Sequence, residues 1–338
     1  MASTRPGAAA PASSRKIWMD GQLVPWADAS VHLLSHSLQR GSLVFDYLSV
    51  HETPRGAAAF RLDLHVERFL ESCRLSALPI EEDAGQVFEA VLETLRANPG
   101  ATAAKICAFL PSIEVDVVPL DARVSLAVAA YDPVEDVVKT KPRELWGARR
   151  PTLKLWIEKE RSQRRPDIIP AQAKVAANYE SPMVAKWKAR KQGYDEIVLV
   201  DSDGFLAEGP TTNVFLVESD GTVCTPPLAN VLPGITRRSI LELAKHDGIP
   251  VREQPLRPDA LFDAAEVFLT GTSAGVWPVE SVDGRAVGEA TPGPVSARLR
   301  EHFERVVSGR DPDFAHWLTP AQPTDPTDPT DSAGGGGE

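Results

Sequence analysis

Three Asp-Gly pairs, each set between short apolar runs, constrain this chain more than any other feature. The first is Asp20-Gly21 in KIWMDGQLVP; the others lie within EIVLVDSDGFLAEG (196–209) and NVFLVESDGTVCTPP (213–227). An Asp-Gly pair supplies the left-handed backbone that a two-residue hairpin turn requires, so each pair predicts two neighbouring strands. Successive hairpins predict antiparallel sheet. A doubly wound parallel fold is thereby disfavoured.

Helical spacing interrupts the strands. VFDYLSVH (44–51) and AAFRL (58–62) read as partners across a Pro/Arg/Gly turn, and LHVERFLESCRL then places Leu64, Val66, Phe69, Leu70 and Cys73 on one helical face. DAGQVFEAVLETLRANPG predicts a second helix closed by a Pro-Gly stop. AAKICAFL and VSLAVAAYDP read as two further strands. These elements make a small α+β domain over 16–140, and 141–160, with its prolines and charges, reads as an interdomain connection. A larger strand-rich domain, 161–310, adds a helix in ITRRSILELAKHDG and strands in VREQPL, EVFLTGT and PVESVDGRAV. A length of 338 residues suits about two domains, and the fold class expected is α+β.

Both ends differ from this middle. Residues 1–15 read as a disordered arm, and 311–338, which repeats Pro-Thr-Asp and then turns to glycine, read as a disordered acidic tail. The net charge of -11 argues against nucleic acid or an anionic membrane surface as partner. No apolar run approaches the roughly 20 residues of a membrane span, and the N-terminal segment has no signal-peptide core, so a cytoplasmic location is expected. Cys73, Cys107 and Cys224 are odd in number and widely spaced, as reduced core residues would be. The seven histidines form no HxxxH or HxxE pattern. They read as surface or interface residues, and no metal site is expected.

Two constellations carry chemistry. Lys174 sits among Ala173, Val175, Ala176 and Ala177, small residues that let a ligand come close and that partly desolvate the amine, as a nucleophilic lysine needs. Glu208 lies at a strand end before Gly209 and Pro210. Taken alone it reads as a solvated turn residue; in a closed site it suits a protonated ring nitrogen. The second constellation suits a phosphate. Pro233-Gly234 leads straight into a helix at Ile235-Thr236, and the strand VFLTGTSAG opens into Gly271-Thr272-Ser273, so free N–H groups and hydroxyls gather. Arg68 is the candidate cation.

IIPAQAKVAANY, YDEIVLVDSDGFLAEGPTTNVFLV, LPGITR and VFLTGTSAGVWPV resemble, in order and spacing, the class IV (fold type IV) pyridoxal-phosphate aminotransferases, and most of all the branched-chain aminotransferases. The resemblance spans about 16–308. It implies a larger domain of α/β-barrel-like form, bound pyridoxal 5'-phosphate linked to Lys174, Glu208 paired with the pyridine nitrogen, and Tyr179 hydrogen-bonded to the ring hydroxyl. Arg68, Ile235, Thr236, Thr272 and Ser273 would hold the phosphate. The activity implied moves an amino group from a hydrophobic L-amino acid to a 2-oxo acid such as 2-oxoglutarate, in an assembly expected to be a homodimer.

The small domain departs from the pattern where substrate is read. Phe45-Asp46-Tyr47-Leu48-Ser49 stands where such enzymes usually have Phe-Glu-Gly-Ile-Arg, and Lys105-Ile106-Cys107 where they tend to have Tyr-x-Arg. Two arginines that would bind a carboxylate are missing. Arg40 or Lys105 is then the candidate carboxylate partner, beside Phe45 and Tyr47 in the pocket, or the pocket takes substrates with no carboxylate. The latter would make the chain an (R)-selective amine transaminase, or give it side activity on (R)-amines. A D-amino acid transaminase, an aminodeoxychorismate lyase and a non-catalytic binding protein are the remaining alternatives.

Overall fold

A computed structural model describes residues 14–141, 150–163 and 165–322. The first hairpin forms as its turn chemistry requires: β1 (Lys16–Met19) pairs with β2 (Gln22–Pro25), and Asp20 and Gly21 take φ of 46° and 86°. A short α1 (His36–Arg40) ends at Gly41 in the left-handed region. The hairpin of β3 (Val44–Thr53) and β4 (Gly56–Phe60) leads into α2 (Leu62–Leu75). α3 (Ala84–Ala97) opens on a capping box in which Asp83 and Gln86 satisfy each other's backbone N–H groups. β5 (Ala103–Phe109) and β6 (Ser125–Tyr131) complete the unit. β3 alternates strictly, with Val44, Asp46, Leu48 and Val50 turned inward. One of those four is a carboxylate.

The second unit contains β7 (Leu153–Ile157), α4 (Glu180–Lys191), β8 (Glu196–Val198), β9 (Asn213–Val217) and β10 (Val223–Thr225). There follow α5 (Ile235–His246), β11 (Val251–Glu253), α6 (Ala260–Asp263), β12 (Glu266–Gly271), β13 (Gly275–Val282), β14 (Arg285–Ala286) and α7 (Pro294–Val307). The chain then returns to the first unit through β15 (Leu318–Pro320). The sheets run β15-β4-β3-β5-β6-β1-β2 and β11-β10-β9-β12-β13-β7-β8, with β14 beside β13.

Four expectations are corrected. The second sheet is mixed, because β7 lies parallel to both β13 and β8, and β10 parallel to β11. β7 falls inside the stretch read as a connection, its Leu153, Leu155 and Ile157 buried against β13. Residues 311–322 belong to the fold: Phe314 and Trp317 are buried with Phe60 and Phe303, and β15 extends the first sheet at β4. The low-complexity composition that suggested disorder begins only beyond them. Nor are the histidines uniformly superficial, since His36, His65 and His302 are buried. The three cysteines are unpaired. Among the described residues no helix is long and apolar enough to cross a membrane.

Candidate active site

Lys174 is fixed where the two units meet. Its carbonyl accepts from Phe45 N at the start of β3, its N–H donates to Ser72 Oγ on α2, and Ala176 N donates to the Leu43 carbonyl. The small residues read from the sequence have a steric reason here: a Cβ on Gly41 would lie 3.4 Å from that of Ala177. The lysine side chain enters a pocket lined by residues of both units. Arg68, Tyr179, Glu208, Ile235, Thr236 and Thr272 line the same pocket; Ser273 does not.

Lys174 Nζ donates a 2.8 Å hydrogen bond to the Tyr179 hydroxyl. Burial, with the Arg68 guanidinium second, brings the amine down to about 8 from its ordinary 10.5. Burial and the charge of Glu208 push the Tyr179 phenol above its usual range, so it stays protonated and able to donate. Glu208 accepts from Gln163 Nε2 at 2.8 Å, Leu232 N at 3.1 Å and Asn213 Nδ2 at 3.3 Å. Burial still raises it to about 7 against those bonds, the environment of a carboxylate that waits for a cation.

The end of the pocket at the start of α5 is built as an anion site. α5 starts at Gly234, which has no side chain to cap the first N–H groups, and a Cβ there would collide with Asn213 Oδ1. Thr270 Oγ1, on the pocket wall, is buried without a hydrogen-bond partner. Arg68 gives Nε to Asp46 Oδ2 and Nη2 to Asp46 Oδ1, each at 2.8 Å, and Nη1 to the Pro233 carbonyl at 3.1 Å. A guanidinium has five N–H donors, so at least one on Nη1 remains for an anion. The amine, the half-buried carboxylate, the helix N-terminus and the orphaned hydroxyl fit pyridoxal phosphate along its length.

Asp46, His65, Gln163 and Asn213 escaped the sequence reading. Asp46 also receives His65 Nδ1–H at 2.6 Å; burial pushes its carboxyl up, but the Arg68 guanidinium and the hydrogen bonds from His65 and Arg68 outweigh it and hold the group well below the ordinary range. Its signal was a carboxylate in the inward row of an otherwise apolar strand. Phe45, Tyr47 and Lys105 lie on the other face of β3 and β5, with Tyr47 opposite Lys105 in register, and are not among the residues that line the pocket. Lys174 Nζ and Lys105 Nζ lie 4.9 and 4.7 Å from the centre of the Phe45 ring. Arg40 is exposed, donates to the Val115 carbonyl at 3.1 Å and does not line the pocket.

A fold of two sheets with a half-buried lysine, a carboxylate and a helix-end anion site in one pocket defines a pyridoxal-phosphate type of aminotransferase centre, and residues 43–282 match the family model "Amino-transferase class IV". The chain belongs to that family. Among its relatives is a branched-chain-amino-acid aminotransferase of Salmonella typhimurium, 35% identical over 90% of this chain and 96% of that protein. The enzyme of the same name from Escherichia coli is 35% identical over 89% and 96%. The branched-chain amino acid aminotransferase of Thermobaculum terrenum, solved in its PLP form, superimposes with a TM-score of 0.82 at 26% identity, covering 92% of this chain and 100% of that one.

Proposed function

We propose that this aminotransferase binds pyridoxal 5'-phosphate through Lys174 and moves the amino group of a hydrophobic, branched-chain L-amino acid to a 2-oxo acid such as 2-oxoglutarate. One observation carries the reading: Lys174, Tyr179, Glu208 and the start of α5 line a single pocket, as an aldehyde, a ring hydroxyl, a pyridine nitrogen and a phosphate would require. When bound, the cofactor supplies an amine-capturing aldehyde and a pyridinium ring that accepts electron density. Glu208 holds the proton on the ring nitrogen. Tyr179 orients the amine of Lys174 and the ring hydroxyl. Lys174, when not bonded to the cofactor, would take a proton from the substrate's α-carbon as base and deliver it as acid to the cofactor carbon that carries the nitrogen. Arg68, Ile235, Thr236 and Thr272 anchor the phosphate.

The missing arginines at Ser49 and Cys107 favour relaxed carboxylate recognition, whereas the relatives favour branched-chain amino acids over (R)-amines as donors. Lys105 reconciles the two, since it is the ammonium on the β3–β5 face beside Phe45 and Tyr47. Rates with L-leucine, L-isoleucine, L-valine and (R)-1-phenylethylamine against 2-oxoglutarate test the substrate. Lys105→Met should raise KM for L-leucine at least about tenfold, the loss of one charge-assisted contact, with a smaller change in kcat. Faster turnover of the (R)-amine than of L-leucine overturns this reading.

The assembly proposed is a homodimer. Val115 and Leu120 are 94% and 95% exposed, and their segment is tied to the 31–40 segment, whose Val31, Leu33, Leu34 and Leu38 are also exposed, by Arg40 and by a 2.8 Å contact of His36 with the Val117 carbonyl. An apolar ridge of this kind is covered in stable soluble proteins, here by a second copy. Sedimentation of wild type as a dimer and of Val115→Asp as a weakened one is expected; a wild-type monomer refutes it.

A further inference from the structure

Outside the lysine pocket, the C-terminal end of α5, the middle of α7 and the 312–317 turn bring His246, Asp247 and His302 together, with ligand atoms within 4.8 Å of one another. We propose that they form a structural site for a divalent transition-metal cation of the zinc class. Spacing rules pass over it because the histidines come from two different helices.

His302 points to this role most directly. Its ring is 2% exposed, and Nε2 is engaged by Asp311 Oδ2 at 3.1 Å. A neutral ring that donates from Nε2 leaves a bare lone pair on Nδ1. That atom is buried and makes no hydrogen bond, although Asp247 Oδ1 lies only 3.0 Å away. Two acceptors so close repel unless a proton or a metal cation lies between them, and the absence of a formed hydrogen bond at Nδ1 favours the metal. His246 Nδ1 approaches the same Asp247 oxygen at 3.3 Å. Ligand atoms about 2.1 Å from one tetrahedral ion stand roughly 3.4 Å apart, so both separations already suit it.

The surroundings fit as well. Asp311 orients His302, and Asp313 Oδ2 faces His246 Nε2 at 3.7 Å, the carboxylate support that metal-bound histidines usually have. Arg298 sits 3.3 Å from the second oxygen of Asp247, leaving Oδ1 for the ion, and Arg305 lies 3.8 Å from Asp311. The negative end of α5 favours a cation. Two imidazoles and one carboxylate suit Zn2+ better than Mg2+ or Ca2+. Such an ion would join α5 and α7 to the turn that carries Phe314 and Trp317.

The test uses the full chain, stripped with EDTA, dialysed and titrated calorimetrically with Zn2+. One Zn2+ per chain is expected, with at least tenfold weaker binding in Asp247→Asn and in His246→Ala, whose exposed side chain makes that variant safe to fold. The ring nitrogens of His302 should change their NMR shifts at the same equivalence point. Activity should be unaffected, since none of these residues lines the lysine pocket. Absence of binding, or equal binding by His246→Ala and wild type, overturns the site. So do NMR shifts showing His302 doubly protonated and indifferent to Zn2+, an imidazolium held between Asp247 and Asp311.

Discussion

Asp46 on β3 grips Arg68 on α2 through two 2.8 Å hydrogen bonds, one to each carboxylate oxygen, and neither side chain is open to solvent. The cation proposed to bind the phosphate is therefore aimed by a residue on a different element. Asp46→Asn removes the charge but not the shape and leaves a buried guanidinium unpaired, which should cost about 3–5 kcal/mol of stability. Its folded-state pKa is depressed, so the contribution of Asp46 is complete above the ordinary carboxylate value near 4 and lost as pH falls below it. Urea unfolding at pH 7 should show the deficit, and titration with pyridoxal phosphate should show weaker binding. A variant as stable as wild type would mean that Arg68 finds other partners.

Lys174→Ala should fold, because its neighbours are small, and should turn over at least about a thousandfold more slowly, some 4 kcal/mol of barrier. The wild-type amine, brought down to about 8, is mainly neutral only above that pH. Capture of pyridoxal phosphate by cofactor-free protein should thus accelerate as pH rises and level off beyond about 8. Borohydride trapping and peptide mapping should find the cofactor on Lys174, and a label elsewhere refutes the assignment.

Glu208→Gln should retain the cofactor and slow turnover by about a hundredfold or more, since an amide hydrogen-bonds a ring nitrogen without holding its charge. The stability of the cofactor-free form gives a second readout. Glu208 is raised from 4.5 to about 7, so its ionisation opposes folding, and the cost grows as pH climbs between those values. Melting curves should show the variant gaining on wild type over that interval. Complete loss of cofactor binding would make Glu208 a structural residue.

Truncation after residue 322 should leave melting temperature and activity nearly unchanged, whereas truncation after 311 should be severely destabilising. The difference is Trp317, 4% exposed, packed on Phe60 and Phe314 with the Arg61 guanidinium 4.3 Å from its ring centre. Trp317→Ala alone should cost about 3–5 kcal/mol. Thermal melting of the two truncations settles whether 312–320 belongs to the core.

Turn chemistry, helix periodicity and the four ordered motifs were legible along the chain because each is written within a few consecutive residues. Asp20-Gly21 fixed a hairpin through its own backbone preferences, Asp83 and Gln86 a helix start, and the small residues around Lys174 a place for a buried amine. The residues proposed to hold the cofactor could be named for the same reason. Their supports could not. Asp46 meets Arg68, β7 slips between β13 and β8, and β15 returns to β4 because distant apolar surfaces exclude water together. That pairing depends on how whole elements pack, and no residue records it in its immediate neighbours. A carboxylate in an apolar row and two histidines on separate helices acquire a partner only when burial brings those elements into contact and leaves their polar atoms to satisfy one another.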